Sequence, residues 1–230
     1  HMIVARGVAG NTRDTPGTHA GRPRIPGRRP RVDKRPVLVH NHASMSSSLP
    51  PTLSVVACAG RHGTRLERRP CPRPGAGEML LAMRVSGLCG TDLFKLAHDT
   101  APAGSVLGHE IVGTVAAVGD GAPDFAVGDR VVVPHHVACG ECALCRRGNE
   151  TMCPVFRESL LEPGGFSEGI LVRARAVRRA ARKVPAAIPD EAAVFLEPAA
   201  CVLRGIDRAE LPAPEALRGL GSELSDLEKK

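Results

Sequence analysis

Four cysteines within one short segment constrain this chain more than any other feature of its sequence. Cys139, Cys142, Cys145 and Cys153 follow the spacing C-x2-C-x2-C-x7-C. Such C-x2-C steps bring two sulfurs to one tetrahedral zinc ion without strain. Disulfides are one alternative, although nothing else in the chain is typical of a secreted disulfide framework. A DNA-reading finger is another, but no H-x3-5-H pair follows. The spacing therefore predicts a structural zinc site with these four ligands.

Further motifs stand in a regular order on both sides of this loop. They are Gly-Leu-Cys-Gly-Thr-Asp at 87–92, Gly-His-Glu at 108–110 with Gly113 and Gly119, Phe125-x-Val-Gly-Asp-Arg-Val at 125–131, Gly-Gly-Phe-Ser-Glu at 164–168 and Glu-Pro-Ala-Ala-Cys at 197–201. Together with the cysteine loop, the motifs resemble those of the zinc-dependent medium-chain alcohol dehydrogenases. The resemblance covers roughly residues 50–210 and implies a catalytic domain with a GroES-like fold.

The resemblance also implies a second, catalytic zinc. Its protein ligands would be Cys89, His109 and Glu197, and a water molecule or the substrate would take the open fourth position. Glu110, next to the histidine ligand, would be an exchanging or outer ligand, and Asp92 would orient the imidazole. Zinc lowers the pKa of a bound alcohol to about 7, so a zinc alkoxide could release hydride to NAD or NADP.

Two details of the implied site refine the expected chemistry. Thr91 matches the hydroxyl that passes the alcohol proton toward solvent, but Phe94 stands where many relatives have the next group of that relay, a histidine. A carboxylate third ligand, Glu197, is similar to the branch that includes polyol, sorbitol and threonine dehydrogenases. We therefore expect the substrate to be a secondary alcohol such as a polyol, cyclitol, sugar or amino alcohol.

Several other polar residues are interpreted as structural. His135 and His136 are adjacent, and neighbouring positions on a strand face opposite sides, so we expect surface or barrel-rim residues rather than two ligands of one metal. Cys58 and Cys201 are assigned to packing, and Cys71, which lies between two prolines, to a surface turn.

The predicted fold class is mainly β, a GroES-like partly open barrel with a zinc-binding loop and a few short helices. Short β-rich runs separated by Gly, Pro and Asp are typical of such barrels, and they lie at 79–85, 111–118, 130–133 and 169–172. Helices are expected after Cys89, from Asp190 to just before Pro198, and again from Ala199. The expected domains are a disordered tail over 1–48, a catalytic domain over 49–198, and a linker helix with a truncated end over 199–230.

The basic charge of the chain is concentrated in its first segment. Residues 1–44 carry nine Lys and Arg against two Asp and Glu, whereas the remainder has 22 of each and sums to zero. The segment also has five prolines, five glycines and no aromatic residue, so we expect it to be disordered or a non-native extension. It lacks the aromatic platform that single strands stack on, which argues against nucleic acid as a partner.

A dinucleotide site is not expected in this chain. The segment Gly219-Leu220-Gly221 lacks the third glycine of G-x-G-x-x-G and follows no β-rich run, so the Rossmann domain of the resembled family would be missing or supplied by another subunit. The chain alone is then expected to oxidise no alcohol. The alternative function is a zinc-stabilised GroES-like binding or assembly module without catalysis, and a homo-oligomer is compatible with either function.

Apolar content and cysteine usage predict the cellular compartment of the protein. No apolar run approaches the roughly 20 residues of a membrane span. Five of the eight cysteines occupy implied metal positions, which is compatible with a reducing compartment. We therefore expect a cytoplasmic protein whose partner is a small-molecule alcohol.

Overall fold

The computed structural model describes residues 3–5, 49–60, 63–122 and 124–209. Most of the predicted tail over 1–48 and the glycine-containing segment after 218 lie outside these ranges. One part of the tail is described: Ile3–Ala5 forms a short strand, which the expectation of disorder over 1–48 did not include.

Antiparallel strands make up most of the described structure. Their bounds are β1 Ile3–Ala5, β2 Thr52–Gly60, β3 Gly63–Pro70, β4 Met79–Leu88, β5 Ile111–Val118, β6 Arg130–Val132, β7 Leu161–Glu162, β8 Gly169–Val172 and β9 Arg182–Lys183. The β-rich runs predicted from the sequence correspond to β4, β5, β6 and β8. The mainly β fold class is therefore confirmed.

Strand β4 is the centre of the main sheet. The strand order is β7-β8-β4-β5-β6-β9, and β1 pairs with the end of β4, where Ile3 lies opposite Leu88. Strands β2 and β3 form a separate hairpin, which isolated bridges at Val55 and Ala57 connect to the segments around Ser167 and Val106. The hairpin and the curled sheet together form a partly open barrel.

The core follows from the two-residue period of the strands. On β4, alternate residues Met79, Leu81 and Met83 enter the main apolar cluster with side chains of β5, β6 and β8. The strand register shifts between Met83 and Val85, and Val85 packs instead in a smaller cluster that contains Val194. Because β4 is covered on both sides, it holds the loops that leave its end in defined positions.

The helices are short except for the last. Their bounds are α1 Gly90–Ala97, α2 Ala143–Arg146, α3 Ala174–Arg179, α4 Asp190–Ala193 and α5 Leu196–Ala209, with a 3-10 turn at Glu150–Met152. The helices after Cys89 and at Asp190 were predicted. The predicted boundary at Pro198 is wrong, because the break between the helices falls at 194–195 and Pro198 lies in the first turn of α5. Backbone N–H groups in a first turn have no acceptor within the helix, so proline, which lacks an N–H, is tolerated there.

Among the described residues, no helix combines the length and apolar character needed to cross a membrane.

Candidate metal centres

The four-cysteine loop folds its sulfurs around one point. The Sγ atoms of Cys139 and Cys153 are 3.6 Å apart, those of Cys142 and Cys145 3.5 Å, and those of Cys139 and Cys145 3.9 Å. A tetrahedral zinc with Zn–S bonds of about 2.3 Å requires S···S separations of about 3.8 Å. All eight cysteines, each of which lies in the described ranges, are free thiols. The loop therefore has the donor set and the spacing of a structural zinc site, and none of its four thiols is paired in a disulfide.

Backbone groups of the loop already favour negative charge on one sulfur. The N–H groups of Glu141 and Cys142 donate to Cys139 Sγ, each at 3.4 Å, and they lower the pKa of Cys139 to about 6. Burial instead raises the pKa of Cys145 to about 12. Without a metal, only part of the donor set is ionised at neutral pH, so binding of zinc has to displace protons.

A second cluster lies where β4 and β5 meet α1. Cys89 follows the end of β4 and precedes the first turn of α1, and His109 and Glu110 directly precede β5. Cys89, His109 and Glu110 each present a ligand atom, and these atoms lie within 4.8 Å of one another. Two segments that are twenty residues apart along the chain thus supply one compact donor set.

Asp92 fixes the orientation of His109. The Asp92 side chain is 1% exposed and its Oδ1 lies 3.5 Å from His109 Nδ1. The same carboxylate accepts the backbone N–H groups of Cys89 at 3.0 Å and Gly108 at 3.3 Å. Because Asp92 engages Nδ1, the Nε2 atom of His109 is the nitrogen left for a metal.

The electrostatics of this cluster are those of an ion pair. Burial favours neutral Asp92, but the hydrogen bond and charge of His109, with two backbone N–H groups, lower the pKa of Asp92 below its usual value. Burial likewise opposes a charge on His109, but Asp92 outweighs it and raises the pKa of His109 to about 9. In the metal-free chain His109 therefore carries a proton that a metal would displace.

Glu110 is the residue whose surroundings most suggest a metal. Its side chain is buried, and burial raises its pKa. Its Oε2 atom is inaccessible to solvent and has no hydrogen-bond partner within the described ranges. A buried carboxylate oxygen without a partner is costly, and coordination of a cation would satisfy it. The donor set of thiolate, imidazole and carboxylate therefore fits zinc.

The other predicted site residues lie outside this compact group. Glu197, in the first turn of α5, is outside the 4.8 Å group, although its charge acts on both His109 and Glu110. Thr91 lies in α1 and is exposed. Cys201, assigned to packing, is exposed instead, and its thiol lies 3.9 Å from Glu197 Oε1.

His135 was missed as a neighbour of the site. Its ring centroid lies 4.6 Å from that of His109 and 3.6 Å from that of His136. Burial, together with the charges of His136 and His109, lowers the pKa of His135 to about 3, so its ring is neutral. No local pattern predicts this contact, because the alternation rule used for the two histidines applies only within a regular strand, and β6 ends at Val132.

Comparisons with known proteins agree with the geometry. Residues 75–182 match the family model described as the alcohol dehydrogenase GroES-like domain. The chain is 37% identical over 142 residues to L-threonine 3-dehydrogenase of Coxiella burnetii, an alignment covering 59% of this chain and 40% of that protein. It is 34% identical over 185 residues to erythritol/L-threitol dehydrogenase of Mycolicibacterium smegmatis, an alignment that covers 73% of this chain and 50% of that protein.

A similar solved structure is acetophenone reductase from Geotrichum candidum in complex with NAD. Its identity to this chain is 33% and the TM-score is 0.55, over 64% of this chain and 45% of that one. The chain thus spans about half or less of the length of these proteins. Residues 75–182, which match the family model, contain both cysteine-containing clusters.

Proposed function

Because this chain belongs to the zinc-dependent medium-chain alcohol dehydrogenase family, we propose that it carries the catalytic domain of an NAD- or NADP-linked dehydrogenase of secondary alcohols. The observation that carries the proposal is the convergence of Cys89, His109 and Glu110 within 4.8 Å beside the buried Asp92. Polyols and amino alcohols are the proposed substrate class, since similar proteins are named for threonine and for erythritol and threitol. The nucleotide is proposed from the similar structure that holds NAD.

The proposed roles divide between holding a metal and orienting its ligands. Cys89 and His109 would bind a zinc ion, with Glu110 or Glu197 as the carboxylate ligand, and Asp92 would hold the imidazole in place. Bound zinc supplies a Lewis acid that lowers the pKa of an alcohol to about 7. Cys139, Cys142, Cys145 and Cys153 would hold a separate structural zinc, which stabilises their loop.

Residues around the cluster would handle the substrate and its proton. Thr91 is exposed on α1 and is the proposed acceptor of the alcohol proton, which it would pass to solvent. Phe94 is 58% exposed and offers no group to continue that relay, so water would carry the proton onward. The neutral ring of His135 borders His109 and would form part of the wall against which the alcohol lies.

Metal analysis of purified protein tests the proposal. We expect about two zinc ions per chain, one of them lost in Cys89→Ala and in His109→Ala while the fold persists. Cys142→Ser should loosen the structural loop instead. Cys71→Ala is the matched control, because Cys71 lies outside both clusters and should leave both ions bound. Retention of both ions by Cys89→Ala would show that the ligand assignment is wrong.

Activity is measured separately from zinc content. Oxidation of polyols, cyclitols and amino alcohols is followed by nucleotide absorbance with NAD and with NADP, in the full chain and in Cys89→Ala. Turnover that depends on Cys89 supports the dehydrogenase. Because the chain alone is expected to oxidise no alcohol, two bound zinc ions without nucleotide binding or turnover are compatible with both functions. Only turnover that depends on Cys89 separates the dehydrogenase from a zinc-stabilised binding or assembly module.

A further inference from the structure

Helix α5 contacts the cysteine loop and carries Glu197, a predicted ligand of the other metal site. Its first turn carries Glu197, whose charge acts on His109 and Glu110, and the helix runs on to Ala209. No residue of α5 is buried against the described part of the chain. The apolar side chains of Val202 and Leu203 are exposed, at 61% and 60%. Apolar packing within the described structure therefore does not hold this helix in place.

Two arginines attach α5 to the cysteine loop instead. Arg204 Nη2 donates to the Gly148 carbonyl oxygen at 2.9 Å, and Arg208 Nη2 donates to the same oxygen at 2.8 Å. Arg208 also donates to Asn149 Oδ1 at 2.9 Å, and Arg204 lies 3.7 Å from a carboxylate oxygen of Glu150. One carbonyl oxygen thus accepts from two guanidinium groups one helical turn apart.

The arginines share a helical face with Glu197. Positions 197, 201, 204 and 208 are separated by four, three and four residues, which places them in one stripe along the helix. Cys201, between the ends of this stripe, contacts Glu197 through its thiol. The face of α5 that carries Glu197 is therefore the face that contacts the cysteine loop.

The acceptor is part of the structural zinc loop. Gly148 lies between Cys145 and Cys153 and has a φ of +74°, in the left-handed region that favours glycine. The N–H groups of Gly148 and Asn149 donate to the carbonyls of Cys145 and Leu144. The position of the Gly148 carbonyl therefore depends on the fold that the four sulfurs impose on the loop.

We infer that Arg204 and Arg208 are positioning residues, which hold α5 on the four-cysteine loop and thereby fix the position of Glu197 relative to Cys89 and His109. The inference rests on the proposed function, in which Cys89 and His109 bind a metal. It assigns the structural loop a second role: the loop supports the affinity of the other metal site through α5. Loss of the clamp should weaken the Cys89 site and leave the four-cysteine site intact.

Zinc competition with chelators of graded affinity tests this inference in the full chain. In Arg204→Gln/Arg208→Gln, the dissociation constant of the weaker zinc should rise about 10- to 100-fold, the range found when groups that support metal ligands are removed. The dissociation constant of the tighter zinc should change by less than about twofold, which corresponds to a small fraction of its binding free energy. Arg178→Gln is the matched control, because Arg178 is an exposed arginine on α3 and should change neither constant.

Two further variants separate failure of the clamp from failure of the proposed function. Glu197→Gln should weaken the same zinc, and adding the arginine substitutions to it should weaken that zinc little further, since both act through one group. Equal loss of both zinc ions in the double arginine variant, or full affinity in it, overturns the inference. If Cys89→Ala itself retains the weaker zinc, the proposed site fails and the clamp fails with it.

Discussion

Asp190 joins helix α4 to two strands of the main sheet, and its removal should destabilise the domain measurably. Its Oδ2 accepts from Arg84 Nε at 2.6 Å and its Oδ1 from Arg130 Nη1 at 2.9 Å. The Asp190 side chain is only 11% exposed, whereas the side chains of Arg84 and Arg130 are 31% and 22% exposed. The carboxylate is thus the shielded member of the three charges.

The size of the effect follows from these contacts. Each hydrogen bond to a charged group contributes about 1.5–3 kcal/mol. Water can reach both arginines after Asp190→Ala, and Arg130 keeps its bonds to the carbonyls of Pro185 and Ile188, so the lower end of the range applies. We expect a loss of about 3 kcal/mol in the free energy of unfolding for Asp190→Ala. For a domain of this size that lowers Tm by about 6–12 °C.

Urea denaturation of the zinc-loaded protein measures the change at constant m value. Asp190→Asn keeps one acceptor oxygen and should lose about half as much stability. Glu158→Gln is the control: it breaks an ion pair with Arg175 in which Glu158 is 56% exposed, and should cost less than about 1 kcal/mol. If Asp190→Ala costs no more than Glu158→Gln, the attachment of α4 through Asp190 is refuted.

Three further predictions concern the metal centres. His135→Phe should stabilise the protein by about 1 kcal/mol in urea, because His135 Nδ1 is buried without a partner among the described residues; destabilisation would indicate a bound partner. Gly87→Ala should lower the free energy of unfolding by about 1–3 kcal/mol and weaken zinc retention, because the Cβ of the new alanine would lie 2.0 Å from Glu110 Oε2. Gly90→Ala is the control, since its Cβ would meet no described atom within 4 Å. Zinc binding should release protons and weaken as pH falls, since the pKa of Cys145 is about 12 without metal; a calorimetric enthalpy independent of buffer contradicts this.

Features that depend on neighbours along the chain were predictable. The four-cysteine loop depends on spacings of two and seven residues, which limit where the sulfurs can lie. The strands β4, β5, β6 and β8 followed from β-rich runs between turn residues, and α1 followed from the position of Cys89. In the loop, the strands and α1, the residues that determine the structure are separated by only a few positions, so the backbone between them has few possible conformations. The metal-ligand roles of the cysteines, His109 and Glu197 and the proton-relay role of Thr91 remain predictions.

Features that depend on distant segments were not predictable. Asp190 was expected only to begin a helix, yet its partners Arg84 and Arg130 precede it by 106 and 60 residues. His135 contacts His109 because the chain leaves β6 just before it, and no local pattern reports that exit. Glu110 rather than Glu197 completes the compact donor set, since the pairing of β4 with β5 brings the residue before β5 next to Cys89. Local spacing restricts a loop to a few conformations, whereas contacts between distant side chains exist only after strand register and helix placement are established in the folded protein.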